Sequence, residues 1–387
     1  MEVPFIYDRP VTGKNFIGRK SECNALSNLL DKRENIVIYE PPKSGKQSVV
    51  QQTLFSMRSS GHRFCAVSLD MFNIRSLDKF LVRFGSAVIR TSFSSPAEYS
   101  EVIGKHLSGT HFTFDQENFS ATDEVVSLSG TPDINDIETM MRFPCRIAED
   151  SGEQMFVILD EFQNILEDTE HETLFKIMEK IFQEKPDTSV PGCTFILMGS
   201  KVNAMKYIFE DRRFFYRLVE HLPLQPIDER EIIENIRKGF LAGGKVFEKE
   251  QALGACKLFR NNIWYINHFC SICNSLSLGY INEGIMMDAL NSLLSIHRPK
   301  FEAIMYSLTG YQVSLLRAVL DGVIKFSATE IIMKYSLNSS ANVKRVKEAL
   351  MKKEIITFDE RQEPVIMDPL FEYWVSRFYF ERNLPVG

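Results

Sequence analysis

The chain has 387 residues, 44% hydrophobic and 25% charged, so it is long enough for two or three domains with buried cores. Its formal net charge of −6 excludes a protein that coats nucleic acid by overall charge, although a local basic face remains compatible with it. No apolar run reaches the ~18 residues of a membrane span, and Met1–Phe5 lacks the features of a signal peptide. Seven scattered cysteines form no secreted disulfide framework. We therefore expect a cytoplasmic protein with reduced thiols and no membrane partner.

An entry segment, residues 1–34, ends in an amphipathic helix with Leu26, Leu29 and Leu30 on one face. Residues 35–225 then alternate between strand and helix. The predicted strands are 35–39, 64–69, 155–159, 194–198 and 219–224. Alternation at this spacing predicts an α/β fold, with a parallel sheet and helices on both faces.

The first strand leads directly into a segment that looks like a phosphate-binding loop, Glu40-Pro41-Pro42-Lys43-Ser44-Gly45-Lys46-Gln47-Ser48. In the pattern G-x-x-x-x-G-K-[ST], backbone N–H groups cradle phosphates, the lysine reaches the β/γ-phosphates and the hydroxyl ligates Mg²⁺. Gly45 and Lys46 keep this pattern, and a helix predicted to begin near Gly45 directs its unpaired N–H groups at the phosphates. The predicted nucleotide ligands are Pro42, Lys43, Ser44, Gly45, Lys46, Gln47 and Ser48.

Two positions of this loop depart from the pattern. Glu40 replaces the first glycine, where a carboxylate repels phosphate and a side chain disfavours the backbone angles of glycine. Gln47 replaces the hydroxyl residue, and its longer amide is a weak Mg²⁺ ligand because that ion tolerates little change in distance. Ser48 lies one position after the hydroxyl residue of the pattern and on another side of the helix. Nucleotide binding is therefore better supported than hydrolysis.

The predicted strand 155–159 ends in Asp160-Glu161, which is the Walker B arrangement. Asp160 is the predicted Mg²⁺ ligand, directly or through water, and Glu161 can polarise the attacking water. A strand-end turn with two acidic residues is the alternative. The phosphate loop upstream favours the functional interpretation, because both segments end at the carboxyl edge of one predicted sheet.

The strand 194–198 is followed by Ser200, which would lie beside the γ-phosphate and sense it. Farther along, Arg217 is a possible arginine finger, with a solvated basic turn as the alternative. Between 92 and 135 the chain is polar, and Phe112–Phe114 and residues 125–128 predict a short hairpin in an insertion that we expect to be a mobile surface excursion.

Residues 228–300 predict a helical lid. Cys270 and Cys273 in this block form a C-x-x-C, but no second ligand pair is present for zinc, so we expect buried core cysteines. From 305 onward, three helices and a pair of short strands, residues 355–358 and 364–367, predict a winged helix-turn-helix.

The third of these helices carries a net charge of +4 between residues 342 and 353, with Lys344, Arg345 and Lys347 as possible DNA contacts. An ordinary solvated helix, or a contact with another protein, is the alternative, since residues 312–387 together hold 11 basic and 10 acidic residues. The expected domains are 1–226 (α/β), 227–304 (lid) and 305–387 (winged helix).

Taken together, these motifs resemble those of the archaeal-type ATPase family, a branch of P-loop ATPases near the AAA+ and STAND groups. The matching segments are Phe16-Ile17-Gly18-Arg19 with Glu22, Lys43-Ser44-Gly45-Lys46, Asp160-Glu161-Phe162-Gln163, Gly199-Ser200, Ile263-Trp264-Tyr265-Ile266, and Asp368-Pro369-Leu370-Phe371 with Trp374. The resemblance extends from Phe16 to about Tyr379, with a departure at Asn262-Ile263, where Gly and Pro are usual.

The resemblance implies ATP and Mg²⁺ as ligands. It further implies that Gly45 and Lys46 hold phosphates, that Asp160 organises Mg²⁺ and that Glu161 activates water. Ser200 would sense the γ-phosphate. The predicted adenine border is Ile17, Gly18 and Arg19.

Three functions remain open at this stage. The first is a slow ATPase that works as a conformational switch. The second is a non-hydrolysing nucleotide binder or pseudo-ATPase scaffold, which Glu40 and Gln47 favour. The third is a DNA-associated ATPase that uses its winged helix.

Overall fold

The computed structural model describes residues 5–114, 124–184 and 189–382, and the chain divides into two compact units. The sheet unit comprises Lys20–Glu40 and Gln52–Leu224, and the helical unit comprises Met1–Arg19, Pro41–Gln51 and Gln225–Gly387. The domain boundaries at 226 and 304 stay predictions. Among the described residues, no helix combines the length and apolar character that a membrane span requires.

The elements up to Leu224 begin with the helix α1 and end with the strand β7. The strands are β1 (Ile36–Tyr39), β2 (Phe64–Asp70), β3 (Phe112–Phe114), β4 (Val126–Leu128), β5 (Gln154–Asp160), β6 (Cys193–Gly199) and β7 (Glu220–His221). The helices are α1 (Lys20–Asp31), α2 (Lys46–Ser59), α3 (Leu77–Ser92), α4 (Pro96–His106), α5 (Ile134–Ser151), α6 (His171–Gln183) and α7 (Val202–Lys206).

Five strands form one sheet in the order β2-β5-β6-β1-β7, and every neighbouring pair is parallel. All four residues of β1 are buried, as are the last six of β5, because a strand covered on both faces needs a continuous apolar run. The predicted parallel α/β sheet is confirmed. The strand expected at 219–224 is shorter, since only Glu220 and His221 pair with β1.

The carboxyl ends of the strands line up at one edge of this sheet. Asp70 at the end of β2 is in register with Asp160 at the end of β5, and Tyr39 at the end of β1 is in register with Gly199. The chain leaves β1 at this edge and passes through Glu40 into the phosphate loop. The sheet therefore presents its predicted functional residues at the edge where parallel α/β proteins bind ligands.

The described residues of the segment 92–135 contain more secondary structure than its polar composition predicts. The expected hairpin is confirmed, with β3 and β4 antiparallel, but the helix α4 was not predicted. Its Ser95 and Glu98 form a capping box, a local signal that marks a helix start. Tyr99, Ile103 and Phe112 are buried. The described residues are therefore not purely a surface excursion, because these apolar side chains are buried. The mobility of the segment stays a prediction.

An aromatic cluster holds the turn that follows β5. Phe162 packs against Phe175, Phe209 and Phe215 at ring-centroid distances of 5.5, 6.4 and 6.3 Å. Phe162 is fully buried and begins the 3₁₀ turn Phe162–Glu167. Burial of these large rings fixes the backbone directly after the acidic pair.

The cysteines correct one expectation. Cys145 on α5 and Cys193 at the start of β6 form a disulfide, so the expectation that all thiols are reduced is wrong for this pair. The two residues are 48 positions apart, and their proximity follows from the packing of α5 beside the sheet, which no local pattern reveals. Cys270 and Cys273 are fully buried, as predicted, and burial raises the pKa of the Cys273 thiol to about 12.

The helical unit after Leu224 has eight α-helices among its described residues, together with one strand pair. They are α8 (Glu229–Ala242), α9 (Lys249–Leu258), α10 (Ile263–Leu276), α11 (Glu283–Tyr306), α12 (Gly310–Leu320), α13 (Thr329–Lys334), α14 (Ser340–Lys352), β8 (Ile356–Phe358), β9 (Pro364–Ile366) and α15 (Pro369–Trp374). One hydrophobic core runs through the unit and includes Phe5 from the N-terminal segment.

The winged helix-turn-helix is confirmed. α12, α13 and α14 are followed by the antiparallel pair β8–β9, in which Thr357 opposes Val365. Val343, Val346 and Leu350 are the buried stripe of α14, as their spacing predicts.

Candidate functional site

The phosphate loop occupies Pro41–Gly45, and α2 begins at Lys46, close to the predicted start. Lys43 and Gly45 have φ values of 68° and 90°, in the left-handed region. At Gly45 a Cβ atom would lie 3.2 Å from Nη1 of Arg19, so both the backbone angle and the close approach favour glycine there. The loop therefore turns tightly into α2. The first N–H groups of this helix point out of its N-terminus.

Lys46 is only 7% exposed, and its Nζ donates a hydrogen bond to the carbonyl oxygen of Pro41, 3.2 Å away. The Oγ of Ser44 is buried and, among the described residues, has no hydrogen-bond partner. A buried ammonium, an unsatisfied hydroxyl and a helix N-terminus are the groups that phosphate oxygens satisfy. The loop thus has the chemistry of an anion site, although the ligand roles of its residues stay predictions.

The predicted adenine-bordering residues brace this loop. Arg19 donates from Nη1 to the carbonyl oxygen of Ser44 over 2.6 Å. Gly18 has φ 65°, and a Cβ atom there would approach both Ile227 and Glu231 to 2.8 Å. Ile17 packs on the core of the helical unit. Their contact with adenine stays a prediction.

The residues at the metal position of the motif differ in exposure and bonding. Gln47 is exposed at the first turn of α2. The Oγ of Ser48 accepts a hydrogen bond from the backbone N–H of Val11, 3.1 Å away. The hydroxyl of Ser48 therefore holds the N-terminal segment, and its part in metal binding stays a prediction.

Glu40 is accommodated in the sheet unit without backbone strain. Its φ is not positive, so the residue that replaces the first glycine does not adopt a conformation that favours glycine. Its N–H donates to Gly199, and its Oε1 accepts from the N–H of Leu224 over 3.1 Å. The side chain is therefore used to fasten the segment that follows β7.

Asp160 ends β5 and is 6% exposed, and its Oδ1 accepts from the N–H of Glu161 over 3.0 Å. Glu161 has φ 56° and ψ 38°, a left-handed conformation that costs about 1–3 kcal/mol for a residue with a side chain. Such strain persists only where surrounding packing imposes it, and the buried Phe162 supplies that packing. The turn presents the two carboxylates in fixed and different environments.

The structure brings Ser200 and Glu161 together. Oε2 of Glu161 accepts from Oγ of Ser200 and from Nε2 of Gln163, both over 2.6 Å. Gln163 is 2% exposed and was not singled out from the sequence, although it belongs to the Asp-Glu-Phe-Gln segment. Two donors on one oxygen orient this carboxylate and leave Oε1 as its other acceptor.

Asp70 is a second residue that sequence reasoning missed. It ends β2 beside Asp160, and its Oδ1 accepts from the N–H of Phe72 over 2.8 Å. The signal was available, because the apolar run of β2 ends in an aspartate in the same way as that of β5.

The two C-terminal motif segments, which contain Tyr265 and Asp368, contact each other within the helical unit. Tyr265, 2% exposed, donates its hydroxyl to both carboxylate oxygens of Asp368, at 2.8 and 2.9 Å. Asp368 also caps α15 by accepting from Leu370 and Phe371, and Lys300 lies 3.1 Å from it. Burial and this carboxylate raise the pKa of the Tyr265 hydroxyl well above its usual range.

Replacing Asp368 by Ala is expected to lower the free energy of unfolding. The change removes a helix cap worth about 1 kcal/mol. It also leaves the buried Tyr265 hydroxyl without its acceptor, which costs about 1–3 kcal/mol. Urea denaturation should therefore show a loss of about 2–4 kcal/mol. The control is Asp288→Ala on the exposed face of α11, and equal midpoints for the two variants would contradict the expectation.

The predicted DNA residues lie on α14, where Lys344 and Arg345 are exposed. Lys347 instead places its Nζ 3.7 Å from the ring centroid of Phe358 in the wing, and Arg345 donates to Asn342 over 2.9 Å. The possible finger Arg217 is also exposed, and its guanidinium lies 5.2 Å from the ring of Tyr216. The roles of these basic residues stay predictions.

Comparison with known proteins supports the architecture. The family model described as "Probable winged helix domain" matches residues 299–377. The Walker-type ATPase of Pyrococcus abyssi is 16% identical, with a TM-score of 0.65 over 95% of this chain and 99% of that one. The ORC2 protein of Aeropyrum pernix, solved as ADPNP–ADP complexes, is 14% identical, with a TM-score of 0.57 over 96% and 98%. A comparison with curated protein sequences gave no match.

At these identities the likeness concerns the fold. That fold agrees with the parallel sheet, the loop after β1 and the C-terminal winged helix described above. The chain has the fold of the Walker-type P-loop ATPases with a winged helix domain, as its resemblance to the archaeal-type ATPase family predicts.

Proposed function

We propose that the protein is an ATP-binding P-loop ATPase that works as a nucleotide-dependent conformational switch and hydrolyses ATP slowly. The observation that carries the proposal is the buried ammonium of Lys46 at the first residue of α2, directly after a loop that turns at Gly45. The fold is shared with an ORC2 protein that was solved with nucleotides, which supports the same ligand class here.

The carboxylate of Asp160 in the sheet unit fits a Mg²⁺ ion that accompanies the nucleotide. Mg²⁺ in such sites is held by one or two carboxylates, the substrate phosphates and several waters. The buried carboxylate of Asp160 is a suitable ligand, and the exposed Gln47 is a weak one. When bound, the ion neutralises charge on the phosphates.

Glu161 is the proposed proton acceptor for the attacking water. Its Oε2 already accepts from Ser200 and Gln163, so Oε1 is the atom that we assign to this role. Ser200 would then couple the γ-phosphate to the general base, because the same hydroxyl that is proposed to sense the phosphate holds the carboxylate.

The test is isothermal titration of the full chain with ATP and Mg²⁺, followed by a turnover assay on the same sample. We expect saturable binding and a low turnover that exceeds that of the Asp160→Ala, Glu161→Gln double variant. Binding without excess turnover would reject hydrolysis, and absence of binding would reject the proposal as a whole.

A non-hydrolysing nucleotide binder is the second candidate. The specific observation in its favour is that position 47 offers an amide in place of the metal-ligating hydroxyl, while the hydroxyl of Ser48 is one position later and accepts from Val11. Titration of a fluorescent ATP analogue with and without Mg²⁺ separates the two candidates. Equal affinity in both conditions favours the non-hydrolysing binder.

Replacing Gln47 by Thr is expected to raise the rate of ATP hydrolysis several-fold. The smaller residue restores a hydroxyl at the position where the motif ligates Mg²⁺. Gln51→Thr, the same substitution one turn later on the exposed side of α2, is the matched control. A turnover assay in which neither variant exceeds the wild type would mean that the metal is held by other groups.

Duplex DNA is a further proposed partner, which would contact the exposed Lys344 and Arg345 of α14. The wing is less suited, because its tip at 359–363 holds three carboxylates and one arginine. We expect duplex affinity to fall as salt rises, and Lys344→Ala to reduce the salt slope by about 1. Lys238→Ala on α8 is the control. Binding that is insensitive to salt and to Lys344 would reject duplex DNA as a partner of this helix.

A further inference from the structure

Lys43 lies in the phosphate loop, yet its ammonium group contacts aromatic rings. Its Nζ is 3.5 Å from the ring centroid of Trp264 and 5.1 Å from that of Tyr265. These are the aromatic residues of the motif that starts α10. Among the described residues, Lys43 forms no ion pair with a carboxylate. The loop is thus bound to α10 by a cation–π contact.

This contact is one that a nucleotide can displace. A ring face attracts an ammonium group only through its quadrupole, whereas phosphate oxygens carry full charges and accept charge-assisted hydrogen bonds. Lys43 is half-buried, and burial together with Lys300 lowers the pKa of its ammonium group to about 8. An adjacent anion would relieve this unfavourable environment.

The rings that hold Lys43 are connected to the winged helix domain. Tyr265, next to Trp264, donates its hydroxyl to Asp368, which caps α15. Asp368 lies within the segment 299–377 that matches the winged helix model. A continuous path of contacts therefore joins the loop lysine to that domain through two adjacent aromatic side chains and one carboxylate.

Trp264 is also packed against groups that cannot replace the lysine. The rings of His268 and His297 meet it edge-on at 5.2 and 5.8 Å. The Nδ1 of His268 and the Nε2 of His297 are buried without a hydrogen-bond partner among the described residues. Burial and the charge of Lys43 lower the pKa of both rings, so they stay neutral beside it.

We propose that Lys43 is a phosphate-sensing residue, which exchanges the Trp264 ring for a phosphate oxygen of the bound nucleotide and thereby signals to the winged helix domain. The inference rests on the proposed function, because it needs a nucleotide in the loop. It assigns to the pair Lys43–Trp264 the role of coupling phosphate binding to the contact between Tyr265 and Asp368.

Tryptophan fluorescence tests the exchange, because the chain has only two tryptophans. In a Trp374→Phe background, Trp264 is the sole indole, and the full chain is titrated with adenylyl imidodiphosphate and Mg²⁺. We expect a change in Trp264 emission at saturation. Adding Lys43→Gln should remove this change, with the affinity for the analogue, measured by isothermal titration, reduced no more than about tenfold. Lys43→Arg should retain it.

Amide hydrogen exchange provides a second readout that does not depend on the indole. The N–H groups of Leu370 and Phe371 are bonded to Asp368, and their exchange should accelerate with the analogue in the parent protein but not in Lys43→Gln. An emission change that persists in Lys43→Gln, or analogue binding without any change at Trp264, overturns the inference. Absence of binding to the parent protein overturns the proposed function itself.

Discussion

Glu161→Gln is expected to lower the rate of ATP hydrolysis by a factor of about 10² to 10⁴, the usual contribution of a positioned general base. The amide keeps the size of the carboxylate but cannot accept the proton of the attacking water. Ser200 and Gln163 donate to Oε2 of Glu161, and the amide oxygen can still accept from them, so the fold should be retained. Binding of ATP should change little.

A turnover assay with a coupled phosphate readout measures this effect. Glu153→Gln is the matched control, since Glu153 is exposed beside the start of β5, at the opposite edge of the sheet. Ser200→Ala separates the orientation of the Glu161 carboxylate from its role as proton acceptor. The change removes one of the two hydrogen-bond donors and leaves the carboxylate in place. Turnover of Glu161→Gln equal to that of Glu153→Gln would exclude Glu161 as the base.

Lys46→Ala is expected to weaken ATP binding most strongly of the single substitutions in the loop. A charge-assisted hydrogen bond contributes about 1.5–3 kcal/mol. Since each 1.4 kcal/mol is a factor of ten in Kd, the Kd for ATP should rise about 10- to 100-fold. In this structure the ammonium donates to the backbone carbonyl of Pro41 over 3.2 Å, a contact that a phosphate can replace.

Isothermal titration with ATP measures this change, and thermal denaturation checks that the variant is folded. Lys79→Ala, on the exposed face of α3, is the control for a lost positive charge. An unchanged Kd in Lys46→Ala would show that ATP does not bind at this loop, and the proposed function would then fail at its central observation.

The sheet and the loop were predictable because their signals are local. The apolar runs of β1, β5 and β6 predict buried strands, and each is followed by a segment that resembles a motif of the P-loop ATPases. The stripe of Val343, Val346 and Leu350 likewise predicts α14 within the winged helix. Such patterns depend on residues that are neighbours along the chain.

The remaining features depend on residues far apart in sequence. The contact of Lys43 with Trp264, the bond of Ser48 to Val11 and the fastening of Glu40 to Leu224 were not predicted. Each arises only when the chain has folded, and each changes the meaning of a loop residue. Glu40, expected to repel phosphate, has its carboxylate bonded to the backbone N–H of Leu224, a contact that sequence reasoning alone did not reveal. Its effect on phosphate binding stays a prediction.

The bond between Cys145 and Cys193 encloses β5 and its acidic pair in a covalent loop that spans 48 positions. In the chain-entropy treatment, closing a loop of this length lowers the entropy of the unfolded polypeptide by the equivalent of about 4 kcal/mol. A reductant in the buffer therefore raises the entropy of the unfolded state, against which every denaturation curve measures the stability of the sheet unit. A proteolytic cut inside the loop would leave the two fragments joined until the sulfurs are reduced.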